Sequence, residues 1–210
     1  MPKNHTVVQA DHIAKIAEKY HFFDYTIIWD DGANADVKSK RTNPNILYPG
    51  DVVVIPDKTP KTETRPTTRT YTFKVKPQPL QVRLQIFDYD GEPAVGDFKF
   101  KIEGDSGSQA LTDGKFRKPI SRAWENGSIR FDKLNILDIP MKIGWLDPVE
   151  YQSGQVARLN NLGYNAGVVE SPDALQFRSA VEEFQCDNGL DVTGTCDADT
   201  QAKLKEVHQC

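Results

Sequence analysis

Asp57-Lys58-Thr59-Pro60-Lys61-Thr62-Glu63-Thr64-Arg65-Pro66-Thr67-Thr68-Arg69-Thr70 contains no large apolar side chain. A stretch of this kind has nothing to bury, and its prolines favour extended backbone, so it reads as a linker. A second joint lies near Leu146-Asp147-Pro148-Val149-Glu150, where strand-like alternation gives way to helical spacing. Working outward from these joints, the chain divides into residues 1–56, a linker over 57–70, a β region over 71–147 and a helical region over 148–210. The expected fold class is multi-domain α+β.

The 210 residues are enough for two or three small units. With 38% hydrophobic and 27% charged residues, the composition is that of a globular chain rather than a disordered one. No run of side chains is apolar for the roughly 18 residues that a membrane span needs. The opening Met1-Pro2-Lys3-Asn4-His5-Thr6 lacks the apolar core of a secretory leader. The expectation is a chain that is cytoplasmic as synthesised, and that reaches the periplasm or the extracellular space only by a machine that needs no such leader. Residues 152–210 carry 4 positive and 9 negative side chains, and the remainder 22 and 21. Neither part has the basic excess of a nucleic-acid binder.

In the first unit His5-Thr6-Val7-Val8 reads as a short strand. Asp11 is placed to cap a helix in which Ile13, Ile16, Ala17 and Tyr20 share a face. A second helical stretch presents Tyr25, Ile28 and Trp29. The segments Asn43-Pro44-Asn45 and Tyr48-Pro49-Gly50-Asp51 are turns, and Val52-Val53-Val54-Ile55-Pro56 is a strand ended by a proline. The order is β-α-α-β. His5-Thr6-Val7, Asp11, Ile16-Ala17-Glu18-Lys19-Tyr20 and Asn43 through Asp51 together resemble a LysM domain, with a long insertion over about 30–42. The resemblance implies binding of N-acetylglucosamine-containing glycan, peptidoglycan or chitin-like, in a shallow groove between two loops. Carried over, one wall would be Val8, Gln9, Ala10, Asp11 and His12, and the other Asn45, Ile46, Leu47 and Tyr48.

The middle region alternates apolar and polar residues at Tyr71, Phe73 and Val75, at Leu80, Val82, Leu84 and Ile86, at Phe98, Phe100 and Ile102, and at Ile129 and Phe131. Turn residues fall at Asp88-Tyr89-Asp90-Gly91-Glu92-Pro93, Gly104-Asp105-Ser106-Gly107, Thr112-Asp113-Gly114 and Glu125-Asn126-Gly127. Short strands punctuated in this way predict an antiparallel β-sandwich. The region resembles transthyretin-like and carboxypeptidase-regulatory-like sandwiches, which implies a spacer or docking platform. Asp88, Asp90 and Glu92 have a spacing that calcium can use, but turn chemistry accounts for it.

The last region reads as a three-helix bundle. Val156, Leu159 and Leu162 face inward from the first helix, which stops at Gly163. Ser171 and Pro172 open a second helix that turns Leu175, Phe177, Val181 and Phe184 toward a core. Asp197 caps a third helix that carries Leu204 and Val207. The string Gln155-Val156-Ala157-Arg158-Leu159-Asn160-Asn161-Leu162-Gly163-Tyr164, then Ala180 through Gln185, then Gly189-Leu190-Asp191-Val192-Thr193-Gly194, resembles the PG_binding_1 peptidoglycan-binding family. The resemblance implies a wall-binding surface near the first two helices, to which Arg158, Asn161, Tyr164 and Phe177 would belong.

Catalysis is not expected. His5, His12, His21 and His208 are scattered and form no metal-ligand pair of the His-Glu-x-x-His type. Cys186 has acidic neighbours, which disfavour a reactive thiolate, and no serine sits in a nucleophile elbow. Cys186, Cys196 and Cys210 with His208 are a poor zinc set. A Cys186–Cys196 disulfide and idle thiols both remain open. No metal or cofactor is implied. The sequence therefore points to a non-catalytic peptidoglycan-binding protein. The alternative is a structural component of a bacterial contractile injection apparatus, of the type VI secretion or phage-like kind. In that case the same modules dock protein subunits, and the arrangement resembles proteins encoded beside such systems.

Overall fold

The computed structural model describes residues 1–60, 62–74, 80–88, 90–131 and 138–210. The architecture is mixed α and β, with six α-helices, one 3-10 turn and three antiparallel sheets among the described residues.

Strand β1 (Lys3–Thr6) pairs antiparallel with β2 (Val52–Ile55), with Lys3 opposite Ile55 and Thr6 opposite Val52. Between them lie α1 (Ile13–Lys19), the single turn α2 (Thr26–Trp29), a 3-10 turn (Gly32–Asn34) and α3 (Ala35–Lys40). Ile13, Ile16, Ala17, Ile28, Leu47, Val53 and Ile55 close one apolar core. The apolar periodicity of α1 is what aims it there. The N-cap of α1 is His12, not the expected Asp11: His12 Nδ1 accepts from the Lys15 amide at 3.3 Å. Asp11 is turned inward instead, accepting from the Val8 amide at 3.1 Å and lying 2.9 Å from His5 Nε2. Within the expected insertion over about 30–42, residues 32–40 form the 3-10 turn and α3. From it, buried Asn34 donates to the Ile28 and Val54 carbonyls, both at 2.8 Å, and accepts from the Val54 amide at 2.7 Å.

The linker carries no helix or strand among its described residues. Tyr71 and Phe73, expected in a strand, are exposed in irregular backbone, while Val75, like Lys61 and Tyr89, lies outside the described residues. Strand β3 (Leu80–Gln85) pairs with β6 (Lys115–Ile120), and a second sheet runs β5-β4-β7-β8, from Asp105–Leu111, Gly96–Ile102, Asn126–Phe131 and Ile139–Lys142. Ala94, Phe98, Leu111 and Phe116 form a cluster with Val82, Leu84, Phe100 and Ile129, so side chains of both sheets meet in one core. β5 begins where a turn was expected. Asp105, Ser106 and Gly107 are strand residues, and the turn is confined to Glu103-Gly104.

The C-terminal helices are α4 (Gln152–Asn161), α5 (Ala174–Asp187) and α6 (Ala198–His208). Val156, Leu159, Val181, Phe184 and Leu204 are fully buried between them. The cap of α5 is Asp173 rather than Ser171, because its carboxylate accepts from both the Leu175 and Gln176 amides at 3.0 Å. Leu175, expected in the core, is 79% exposed. Asp197 caps α6 as read from the sequence, accepting from the Thr200 amide at 2.9 Å.

Candidate functional site

Of the nine residues expected to line the N-terminal groove, Ala10, Asp11, His12, Ile46 and Leu47 are buried, Val8, Gln9 and Asn45 are exposed, and Tyr48 lies between. The second wall is shaped by Arg41, a residue sequence reasoning passed over. Arg41 donates from Nε to Asp51 at 2.8 Å and from Nη2 at 3.2 Å, while Asp51 also accepts from the Tyr48 amide at 2.9 Å. The carboxylate beside it holds the guanidinium firmly in its charged form.

Both walls face the chain's own segment 144–151. Gly144 has φ +80° and is packed so tightly that a Cβ there would lie 2.9 Å from the Ala10 carbonyl oxygen and 3.1 Å from the His12 ring. Gln9 Nε2 donates to Asp147 at 3.4 Å. Tyr48 and Tyr151 stack with ring centres 3.7 Å apart and planes 3° from parallel. The Arg41 guanidinium lies 5.5 Å from the Tyr151 ring centre and donates to the Tyr151 hydroxyl at 3.4 Å. From the loop between β6 and β7, Glu125 pairs with Lys15, and Arg122 donates to the Phe23 carbonyl at 2.7 Å. Burial lowers the His12 pKa to about 4, and Lys15 adds to the shift.

The segment is fixed from behind by α4. Arg158 donates to the Asp147 and Gly154 carbonyls, each at 2.8 Å, and Gln155 donates to the Val149 carbonyl at 2.9 Å. Ser153 donates to the Asp147 carboxylate at 2.6 Å. Gly154 is needed here because a Cβ would lie 2.1 Å from the Pro148 carbonyl oxygen.

The second expected surface is also largely inside. Arg158 is 1% exposed and is a structural tie, not a wall contact. A long cation can be buried here because backbone carbonyls replace its water. Tyr164 packs edge-on against Phe184 and donates to Asp187 at 3.0 Å, and its phenol is pushed up to about 12, chiefly by burial. Phe177 is half-buried against the same core. Asn161 alone of the four is exposed, with its Nδ2 3.0 Å from His208 Nε2. What this face presents instead is Leu175 and, in the α4–α5 loop, Val168 at 61% exposure. The loop is tied to α4 by Asn160 donating to the Gly167 carbonyl at 2.8 Å and to α5 by Gln176 donating to Asn165 at 2.7 Å.

The assignment of Arg158 to structure is checked by Arg158→Met. It is expected to lower unfolding stability by about 2–4 kcal/mol, because the carbonyls lose a charged donor. Urea denaturation followed by circular dichroism reads this directly; a surface residue would leave the midpoint unmoved.

The Cys186–Cys196 disulfide is not formed, since all three cysteines are free. Cys186 lies exposed on α5, whereas Cys196 packs against the helical core, where burial raises its thiol to about 11. Among the described residues no group of three His, Cys, Asp or Glu is arranged to hold a metal ion. Among the same residues no helix is long and apolar enough to cross a membrane.

The three helices α4–α6 pack around one apolar core. Residues 156–204, which span from α4 into α6, match the family PG_binding_1, described as "Putative peptidoglycan binding domain". Comparison with curated proteins and with solved structures gives no match.

Proposed function

We propose that this chain is a non-catalytic peptidoglycan-binding protein whose wall contact is made by residues 156–204. The family match over those residues carries the reading. The complete apolar core beneath them supports it, because a module that keeps its packing can hold a recognition surface rigid. Val168 and Leu175 are exposed apolar side chains, each next in the chain to a residue of the Gly167–Gln176 contact, and so supply apolar surface with a hydrogen-bonding neighbour. Sugar rings and peptide methyl groups are bound by surfaces of that kind.

Co-sedimentation with isolated peptidoglycan sacculi tests this. The intact chain is expected to pellet, and a chain lacking residues 152–210 to stay in solution. Leu175→Glu and Val168→Glu are each expected to weaken pelleting about tenfold, because a carboxylate buried against the ligand costs on the order of 1–2 kcal/mol. Neither should move the thermal midpoint. Equal pelleting by all four chains would overturn the reading.

The pairing of the two outer strands, with helices between them, supports reading the N-terminal unit as LysM-like with its groove between residues 7–12 and 43–51, although α3 adds a helix to the expected β-α-α-β order. A second reading has the modules docking protein subunits within a contractile injection apparatus, which would also deliver the chain to the wall. The contact of both groove walls with segment 144–151 favours it, because the groove already takes polypeptide.

A further inference from the structure

We infer that Gly144–Tyr151 is an internal latch: it occupies the groove between residues 7–12 and 43–51 and excludes N-acetylglucosamine-containing glycan until it is displaced. The inference rests on the LysM-like reading of that groove.

Three contacts seat the latch, one at each end and one in the middle. Gly144 closes on Ala10 and His12, where no side chain fits. Asp147 receives Gln9. Tyr151 covers Tyr48 face to face, which is how an aromatic floor receives a sugar ring, so that ring and ligand compete for one surface. Val8, Gln9 and Asn45 stay exposed with the latch in place.

The latch is attached to rigid elements on both sides. Before it, β8 is paired to β7, and the Ile143 amide donates to the Glu125 carbonyl at 2.7 Å. After it, Ser153 and Arg158 clamp Asp147. It therefore leaves the groove as a body with the sheet and the bundle, not as a loop that flips alone.

The closed state also carries a built-in weakness. Trp145 Nε1, within the latch, is enclosed without a hydrogen-bond partner. Returning it to water on opening narrows the gap between closed and open states. The affinity for an external ligand is then reduced by the fraction of molecules that are open.

The test uses the full chain, the N-acetylglucosamine tetramer as probe, and two variants that open the groove from opposite ends. Tyr151→Ala removes the stack while keeping the backbone that starts α4. Gly144→Val drives a side chain into the Ala10 carbonyl. Amide hydrogen exchange reports whether residues 7–12 and 43–51 open, and protection around Gln185 verifies that the bundle is intact. Binding is followed by calorimetry, with Trp145 fluorescence reporting displacement.

Exchange at the groove is expected to rise in at least one variant. Tetramer affinity in that variant should exceed that of the wild type by about tenfold or more. Wild-type affinity equal to that of an opened variant overturns the latch while leaving the glycan reading in place. Unchanged exchange in both variants does the same. A groove that opens without any gain in tetramer binding overturns the glycan reading of the N-terminal unit, and gating with it.

Discussion

Replacing Gln185 by leucine is expected to lower the stability of the helical module by about 3–5 kcal/mol and to abolish pelleting with sacculi. Gln185 is fully buried on α5, and its side-chain amide organises the loop that joins α5 to α6. Oε1 accepts from the amides of Thr193 at 2.9 Å and Gly194 at 3.0 Å. Nε2 faces Thr200 Oγ1 at 2.9 Å, the Thr195 carbonyl at 3.0 Å and Thr193 Oγ1 at 3.1 Å. Leucine has similar bulk, so the packing survives and the loss is that of the hydrogen bonds. Two backbone donors and two or three acceptors are then enclosed without partners, each costing on the order of 1–3 kcal/mol, with partial recovery as the loop loosens toward water. Denaturant titration of wild type and variant measures the difference. A midpoint that moves by less than the equivalent of about 1 kcal/mol would show that the loop is held by its own turns.

The second large effect is a loss of stability between pH 6.5 and pH 4, led by His12. Its pKa falls from 6.5 to about 4 on folding, because burial disfavours the imidazolium and Lys15 repels it. The folded-state value is below the unfolded one, so the sign is fixed. Above pH 6.5 both states are neutral and stability is at its full value. As pH falls through 6.5 the unfolded chain takes up a proton that the folded chain refuses, and stability drops. The decline levels off near pH 4, where the folded state is protonated as well. The ceiling for this one group is about 3 kcal/mol. His208 shifts in the same direction through burial and the nearby Arg158. Glu103, Asp113, Glu150 and Asp197 have lowered values, so their contributions are lost at more acidic pH, below the usual carboxylate range. The interval from pH 6.5 to 5 therefore isolates the histidines. Urea midpoints in that interval are expected to fall for the wild type and to fall less steeply for His12→Gln, with the His208 share remaining. A His12→Gln slope equal to that of the wild type would place the effect elsewhere.

Where helices carry an apolar stripe, the sequence was a sound guide. Val156, Leu159, Val181, Phe184 and Leu204 repeat at helical spacing, and all are buried. The Asp197 cap is a local hydrogen bond, so it too was readable from neighbours in the chain. β5 was missed because, apart from Leu111, its residues are exposed or only half-buried and small, so no alternation marks it. The ordered stretch over 32–40 was missed because one polar side chain, Asn34, ties it to the core by accepting and donating to backbone. Arg158 and His12 read as surface residues because they are polar. Their burial depends on carbonyls and ring contacts set by tertiary packing. Tyr48 and Tyr151 lie about a hundred residues apart, and no local pattern predicts that they touch.

The pairing of Lys3–Thr6 with Val52–Ile55 has a consequence in time. The first unit can close as soon as residue 55 has left the ribosome, whereas Tyr151 emerges nearly a hundred residues later. At about 5–20 residues per second, that delay is roughly 5–20 seconds of translation. Throughout it the nascent chain displays Tyr48, Gln9 and the loops around them with nothing yet synthesised to cover them. A cellular glycan or chaperone that meets the growing chain in those seconds finds a vacancy that the finished molecule has closed.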